Sequence, residues 1–450
     1  MMPRPLTHGC NLRDLMRERL PDTLLARLDD LGHLARQFGV AAYVVGGLVR
    51  DLLLGRPTLD VDITVEGDGM AFARYVANQR DARLKIFPRF ATAYVVFQDG
   101  GTVDIATARR ENYAHPSALP TVAPTSITDD LTRRDFTINA LAIALNAPHF
   151  GNLCDAHGGL RDLDKHKLRV LHDRSFVDDP TRLFRAIRFE QRCGFRLETR
   201  TRRLLHDAAA TDLVQQLSGP RLRNELLLLL AENNPRRTIQ RMAQVGLLRF
   251  VHPRLMLTPQ RRALLAGIPP ALAWWTTRFS GRAIEYPLIY FMALLEGLTR
   301  PAMDVVLTRL AFPNRQANTI RMVKARLATI LRRLATHRSL RPSQQYRLLA
   351  GFPNEGFVLL AAQSGRLARR LLDAYLTTYQ QVQPLLTGED LKNLGLKPGP
   401  LYRKILDRLL DAKLNGVVRS KTDERAFVKM FVASQSPRTP CATPVKWGTQ

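Results

Sequence analysis

The sequence predicts a small α/β head joined to a long all-α body, and three observations carry that prediction. Short β-rich runs (AAYVV, VDITV, TAYVVF and TVDIAT) crowd residues 40 to 145, separated by Gly, Asp and Pro. One helical stretch, around Met70–Asn78, interrupts them, as a small mixed sheet domain requires. From about residue 175 onward, amphipathic runs of Leu, Arg and Ala follow one another, broken by AENNP, VHPRL, AGIPP and AFPNR. The ~50-residue period of a helical repeat array does not show.

These textures divide the 450 residues into five parts. They are a helical extension (1–35), the α/β head (36–150), a helical neck (151–260), a helical body and tail (261–433) and a polar, Pro-rich end (434–450) that reads as disordered. An apolar fraction of 45% supplies real cores. The 67 Lys+Arg against 40 Asp+Glu leave a formal charge of +27, a field that concentrates polyanions. Nucleic acid comes first among these and an acidic membrane surface second; the alternative is an Arg-rich composition with no such partner. The four cysteines (Cys10, Cys154, Cys193, Cys441) form no CxxC pair, so no zinc site or disulfide framework is legible, and a reducing cytosol fits. No run approaches the ~18 apolar residues of a membrane span. Leu226 to Ala231 is shorter and reads as a buried helix. MMPRPLTHGCNLRDLM lacks the apolar core of a secretory signal, so a soluble cytoplasmic protein is expected.

The densest chemistry lies in Val44-Val45-Gly46-Gly47-Leu48-Val49-Arg50-Asp51, followed by Asp60-Val61-Asp62. A β-run delivers the chain to Gly46 and Gly47, where bare backbone can approach a ligand closely. The helix expected from Leu48 to Leu54 then points its positive end at that spot, an anion site suited to a triphosphate. Arg50 in the first turn offers a bidentate phosphate contact. Taken alone, a Gly-Gly turn before a helix is as readily structural. Asp60 and Asp62, two apart on a strand, face the same way, and such paired carboxylates call for a cation. Hard oxygen pairs suit Mg²⁺. Asp104, in Thr102-Val103-Asp104-Ile105, adds a third acid from another strand; a solvated strand end is the alternative for each. Three carboxylates with two metals serve in-line phosphoryl transfer, with Asp104 ligating the metal at the attacking 3′-hydroxyl or accepting its proton.

A second cluster is Asp178-Asp179-Pro180-Thr181-Arg182-Leu183-Phe184-Arg185-Ala186-Ile187-Arg188-Phe189. Asp179 and Pro180 start a helix, with Arg182 on the face of Asp179 and Arg185 and Arg188 progressing around it. Asp179 as a cap and the arginines as a solvated face is one reading. The other is base reading: a carboxylate accepts from an exocyclic amine while a guanidinium donates to a ring acceptor. Cytosine and adenine present both groups; guanine and uracil present a carbonyl where the amine would be.

GGLVRDLLLG, DVD, Arg133-Arg134-Asp135-Phe136-Thr137-Ile138-Asn139-Ala140-Leu141 and DDPTRLFRAIRF occur in the order of the motifs of class II tRNA nucleotidyltransferases and bacterial poly(A) polymerases, which residues 40 to 250 resemble. Cys154-Asp155-Ala156-His157-Gly158-Gly159-Leu160-Arg161-Asp162-Leu163 is similar to that family's hinge between head and neck, and Arg221-Leu222-Arg223-Asn224-Glu225 to its Arg-and-Glu motif. The resemblance implies a polymerase-β-like nucleotidyltransferase head, tRNA as partner, CTP and ATP as substrates, and Mg²⁺ on Asp60 and Asp62. It gives Gly47, Arg50 and Arg134 to the phosphates and sugar, Asp179 and Arg182 to the base, and Arg185 and Arg188 to the rest of the nucleotide pocket. Thr387-Gly388-Glu389-Asp390-Leu391 and Gly395 to Pro400 resemble the tail helices that grip tRNA; from the residues alone they are a helix cap and a Gly-Pro turn. The arginine-rich region 300–372 is expected to track RNA phosphates. ENYAHPSALPTVAPTS looks like the loop that switches from C to A, and the poly(A) members' PKDFD is missing, so CCA addition is expected. Addition of A or C alone, or of poly(A), is the alternative. From another class, a non-catalytic RNA-binding protein on this scaffold would be expected to have lost a carboxylate, and all three are present.

Overall fold

A computed structural model describes residues 10–58, 60–112, 121–336 and 340–435. Residues 113–120 of the expected switching loop, and the polar end from residue 436, lie outside the described residues. The chain forms two compact units, Met1–Leu257 with Pro301–Phe312, and Thr258–Arg300 with Pro313–Gln450.

The first unit opens with α1 (Arg13–Arg19), α2 (Asp22–Phe38), β1 (Ala41–Val45), α3 (Gly47–Leu53), β2 (Asp62–Glu66), α4 (Gly69–Gln79), β3 (Arg83–Phe87), β4 (Thr92–Val96) and β5 (Thr102–Thr107). A hairpin of β6 (Arg109–Asn112) and β7 (Thr121–Pro124), then α5 (Ile127–Thr132), β8 (Ala142–Ala144) and β9 (Leu153–Cys154), complete the head. Its seven-stranded sheet runs β3-β4-β5-β2-β1-β8-β9. Within it β2 and β5 are parallel and the other pairs antiparallel. Alternation explains which face is buried. Ala93, Val95, Val103 and Ile105 are all buried on the side where α4 packs with its stripe of Phe72, Ala73 and Val76. Burying each of the larger side chains is worth about 1.5–3 kcal/mol. Asp68 starts α4 by accepting the Met70 and Ala71 N–H groups at 3.0 Å. The opposite face, with Asp62, Thr64, Thr92, Asp104 and Ala106, is left for the site.

The neck follows: α6 (Gly159–Asp164), β10 (Lys167–Leu168), α7 (Ser175–Asp178), α8 (Thr181–Cys193), β11 (Arg196–Leu197), α9 (Thr199–Ala210), α10 (Gly219–Leu230) and α11 (Pro235–Val245). The hinge-like motif has a plain structural job. Asp155 accepts the Gly159 and Leu160 N–H groups at 2.7 and 3.0 Å, starting α6, and buried Asp162 accepts from Thr137 and Arg169 at 2.8 and 2.9 Å. In α10 the apolar run buries Leu226, Leu229 and Leu230 as expected.

The second unit holds α12 (Pro259–Arg278) and α13 (Tyr286–Leu294); α14 (Arg300–Arg309) returns to the first unit except for its first residue. Then come α15 (Asn314–Thr336), α16 (Pro342–Leu349), α17 (Asn354–Gln363), α18 (Arg366–Thr377), α19 (Gly388–Asn393), α20 (Pro400–Leu414) and α21 (Lys421–Gln435). AGIPP, which reads as a break, does not break α12: the helix runs through Pro269 and Pro270. Its buried residues Leu264, Leu265, Ile268, Ala271, Leu272 and Trp275 override two missing N–H donors. Gly267 lets α17 approach so closely that a Cβ there would lie 2.3 Å from the Ala362 carbonyl oxygen. The Thr387/Asp390 capping box starts α19, and Leu386, Leu391, Ile405, Leu409 and Val428 form a small core beyond it. Among the described residues no helix is long and apolar enough to cross a membrane.

Candidate active site

All eleven residues singled out in the sequence line one cavity of about 790 Å³ in the first unit: Gly46, Gly47, Arg50, Asp60, Asp62, Asp104, Arg134, Asp179, Arg182, Arg185 and Arg188. Gly46 is the pivot. Its φ of 69° and ψ of −117° suit glycine, and a Cβ there would lie 2.9 Å from Arg134 Nη1 and 4.0 Å from Asp62 Oδ2. The bare backbone therefore passes between a cation and a carboxylate just where α3 begins. Arg50 is not poised toward open space. It is 4% exposed, grips Asp51 bidentately at 2.9 and 2.8 Å, and donates to Asn139 Oδ1 at 2.7 Å. The fork expected to meet phosphate is filled by a neighbouring carboxylate, and Arg50 braces the cavity wall.

Asp62 is the first residue of β2, and Asp60 precedes the strand rather than lying in it. Asp62 and Asp104 are register partners across the parallel β2–β5 pair, and all three carboxylates meet water. Partial withdrawal from solvent, then the Asp60 charge and more weakly Asp104, push Asp62 up to about 6 against the pull of Arg134. Desolvation and Asp60 also raise Asp104. Concentrated like charge of this kind marks a place for a cation. Among the described residues no three His, Cys, Asp or Glu side chains close on an ion by themselves. Two hard carboxylates with room for water and phosphate oxygens fit a magnesium-like ion, which takes its remaining ligands from those sources.

Around the acids stands an arginine lattice. Buried Asp130 holds Arg133 at 2.7 Å and Arg134 at 3.1 Å, and Arg133 also reaches Glu111 at 2.6 Å. Arg134 Nε is buried with no hydrogen-bond partner among the described residues. On α8, Arg182 is 5% exposed and donates to Ser175 Oγ at 2.7 Å and to the Arg133 carbonyl at 2.6 Å. Arg185 pairs with buried Asp135 at 2.6 Å, and Asp135 also accepts from the Phe136 N–H and Asn139 Nδ2. Arg188 has Glu225 and Glu232 only at 3.9 and 3.8 Å, and its buried Nε and Nη1 lack hydrogen-bond partners among the described residues. Burial and then Arg185 push the Arg188 guanidinium below its ordinary range, and burial pushes Glu225 up. These arginines are not a solvated helix face.

Asp179 is not the N-cap of α8, a place Pro180 takes; it anchors the turn into the helix, accepting the Thr181 N–H at 3.0 Å and the Thr181 hydroxyl at 2.6 Å, and it also accepts Arg221 at 2.8 Å. All three bonds fall on Oδ1, which leaves Oδ2 for a further donor. Sequence reasoning missed Asp130, Asp135 and Asn139 as parts of the site. Asp135 and Asn139, four apart in an otherwise apolar RRDFTINA, were the available signal.

Paired acids at the start of one strand, a third acid on its parallel neighbour and a Gly-Gly helix start beside them define a nucleotidyltransferase head. Residues 42–169 match the family model "Poly A polymerase head domain", and 194–257 match "Probable RNA and SrmB- binding site of polymerase A". The chain is 42% identical to an A-adding tRNA nucleotidyltransferase of Geobacter sulfurreducens over 91% of its own length and 47% of that protein, so it spans about half of this relative. It is 34% identical to the A-adding tRNA nucleotidyltransferase of Halalkalibacterium halodurans over 96% of itself and 98% of that protein. The Thermotoga maritima CCA-adding enzyme complexed with tRNA superposes with a TM-score of 0.74 at 34% identity, covering 94% of this chain and 99% of that one. This chain belongs to the class II tRNA nucleotidyltransferase family. The family generally uses a divalent metal.

Proposed function

We propose that this chain extends the 3′ end of tRNA in the cytoplasm, without a template, by adding the terminal A from ATP. The observation that carries the reading is the single cavity joining three carboxylates, a Gly-Gly helix start and an Asp/Arg-bearing helix. The choice of A rests on the likeness to two A-adding relatives.

In this reading the RNA 3′-oxygen bonds to the α-phosphorus, the bond from that phosphorus to the bridging oxygen breaks, and pyrophosphate leaves. Asp104 orients the attacking hydroxyl and takes its proton. Gly46 and Gly47 offer backbone N–H groups to the triphosphate, and Arg134, the guanidinium whose charge acts on Asp62, neutralises its charge. Arg50 fixes α3 from behind through Asp51 and Asn139. Asp179 accepts the exocyclic amine through Oδ2, Arg182 donates to the ring acceptor, and Arg185 and Arg188 close the pocket around the nucleotide. Asp60 and Asp62 would hold Mg²⁺, which supplies charge neutralisation at the phosphates and a more acidic 3′-hydroxyl.

Full CCA addition is the second reading. The Asp/Arg pair accepts cytosine by the same chemistry as adenine, and the chain's likeness to the Thermotoga enzyme favours it. A non-catalytic RNA-binding scaffold is disfavoured by the intact carboxylates. The deciding experiment offers tRNA ending before CCA, in C and in CC, with each nucleotide supplied separately. A single A added only to the CC end supports A-addition; C added to the first two ends together with A added to the CC end supports CCA addition; no incorporation anywhere, or C without A, ends both.

A further inference from the structure

The face of the sheet opposite α4 continues past the carboxylates to the sheet edge. Lys85 on β3 pairs in register with Tyr94 on β4, Tyr94 with Asp104 on β5, and Asp104 with Asp62 on β2. Residues directly opposite in register share a face, so these four form one row ending at the reaction centre. At ~4.8 Å per strand the row is about 14 Å long, room for about three or four stacked nucleotides. The next row repeats the pattern: Phe87 opposite Thr92, Thr92 opposite Ala106, and Thr92 and Ala106 both lining the cavity. Phe87 is 40% exposed although aromatic, with the Lys85 ammonium 5.1 Å from its ring centroid. Arg83, Lys85 and Arg89 are all exposed along this edge. The apolar residues of β3 and β4, Leu84, Ile86, Ala93 and Val95, alternate to the α4 side. Aromatic rings with cations on an open sheet face are what a single-stranded nucleic acid needs, because every base has a π-face and every link a phosphate.

We propose that this β3–β4 face is the platform for the single-stranded 3′ end of the RNA. The terminal bases stack on Tyr94 and Phe87, and Arg83, Lys85 and Arg89 meet the phosphates, so that the last 3′-hydroxyl arrives at Asp104. The proposal rests on the RNA-terminal reading above, and it accounts for an aromatic left on an edge strand that would otherwise invite aggregation.

The test uses the full chain and two labelled RNA hairpins, one with a short single-stranded 3′ extension and one blunt. The Phe87→Ala/Tyr94→Ala variant is expected to bind the extended hairpin about tenfold more weakly, with blunt-hairpin binding and the KM for ATP unchanged. Phe87→Trp and Tyr94→Phe should keep wild-type affinity. Equal affinity of wild type and the double variant for the extended hairpin, or an equal loss on both hairpins, overturns the platform. Should the double variant melt early, Lys85→Ala replaces it. Its affinity for the extended hairpin should lose about one counterion from the salt dependence, and an unchanged slope counts against the proposal. Incorporation by the wild type is scored separately: its failure would sink the nucleotidyltransferase reading, while the binding comparison still decides the platform.

Discussion

Asp62 and Asp104 stand opposite each other across the parallel β2–β5 pair, with Asp60 adding a third negative charge beside them. Partial burial first, and the Asp60 charge after it, hold Asp62 at about 6, well above its ordinary value. For an acid whose folded value is raised, the folded state binds the extra proton, so the destabilisation is absent at low pH. It grows from about pH 4 and is complete above about pH 6. Asp62→Asn should thus stabilise the metal-free protein at pH 8, by about 1 kcal/mol after discounting for the water that reaches the site. Urea unfolding in EDTA checks this; the gain should fall by about half at pH 5, vanish below about pH 4, and shrink when Mg²⁺ is added. A destabilised variant at pH 8 would mean that the acids are not in conflict.

Asp135 behaves in the opposite sense. Although burial opposes it, the Arg185 charge and the Asn139 hydrogen bond hold its carboxyl below the usual range. A depressed acid contributes stability above its unfolded value, and that contribution is lost as pH falls through the folded one. Asp135→Asn should cost about 3 kcal/mol at pH 7, because it leaves Arg185 without its closest carboxylate. The gap between variant and wild type should narrow steadily below about pH 4. Melting curves from pH 7 down to pH 3 would reveal a constant gap if the pair were unimportant.

Gly46→Ala should damage nucleotide binding more than the fold. Positive φ costs a side chain about 1–3 kcal/mol, and the new Cβ would lie 2.9 Å from Arg134 Nη1, displacing that guanidinium. The expected outcome is a KM for ATP raised at least several-fold with RNA affinity retained. An unchanged KM would show that the glycine serves the turn alone.

Asp179→Ala should relax the preference for ATP over GTP and UTP, and Arg221→Ala should do so more weakly. Arg221 grips Asp179 Oδ1 and so fixes where Oδ2 points. Competition between nucleotides for one RNA end measures this directly. Full selectivity in Asp179→Ala would reduce Asp179 to an anchor of the turn before α8.

Much of this was legible in the sequence because its physics is local. AAYVV and TVDIAT are strands with the bounds the runs suggest, and the three acids read correctly as neighbours. Edge strand β3 escaped notice. RLKIF alternates, but with long cationic side chains that read equally well as loop, and only pairing with β4 fixes it. The arginines of α8 show the larger gap. Spacing put them on a helix, but that Arg182 belongs to Ser175 and Arg185 to Asp135 depends on contacts 7 and 50 residues away. Arg50 shows the same gap: its place in the first turn suits phosphate, but Asp51 and, 89 residues away in the chain, Asn139 fill its fork.

The most direct measurement is the single-turnover rate of A incorporation into tRNA ending in CC, for wild type and Asp62→Ala, with saturating RNA, ATP and Mg²⁺. Loss of more than about a hundredfold in rate is expected, with the dissociation constant for tRNA unchanged within a few-fold. A variant that incorporates at a rate near wild type would contradict the assignment of Asp60, Asp62 and Asp104 as the reaction centre.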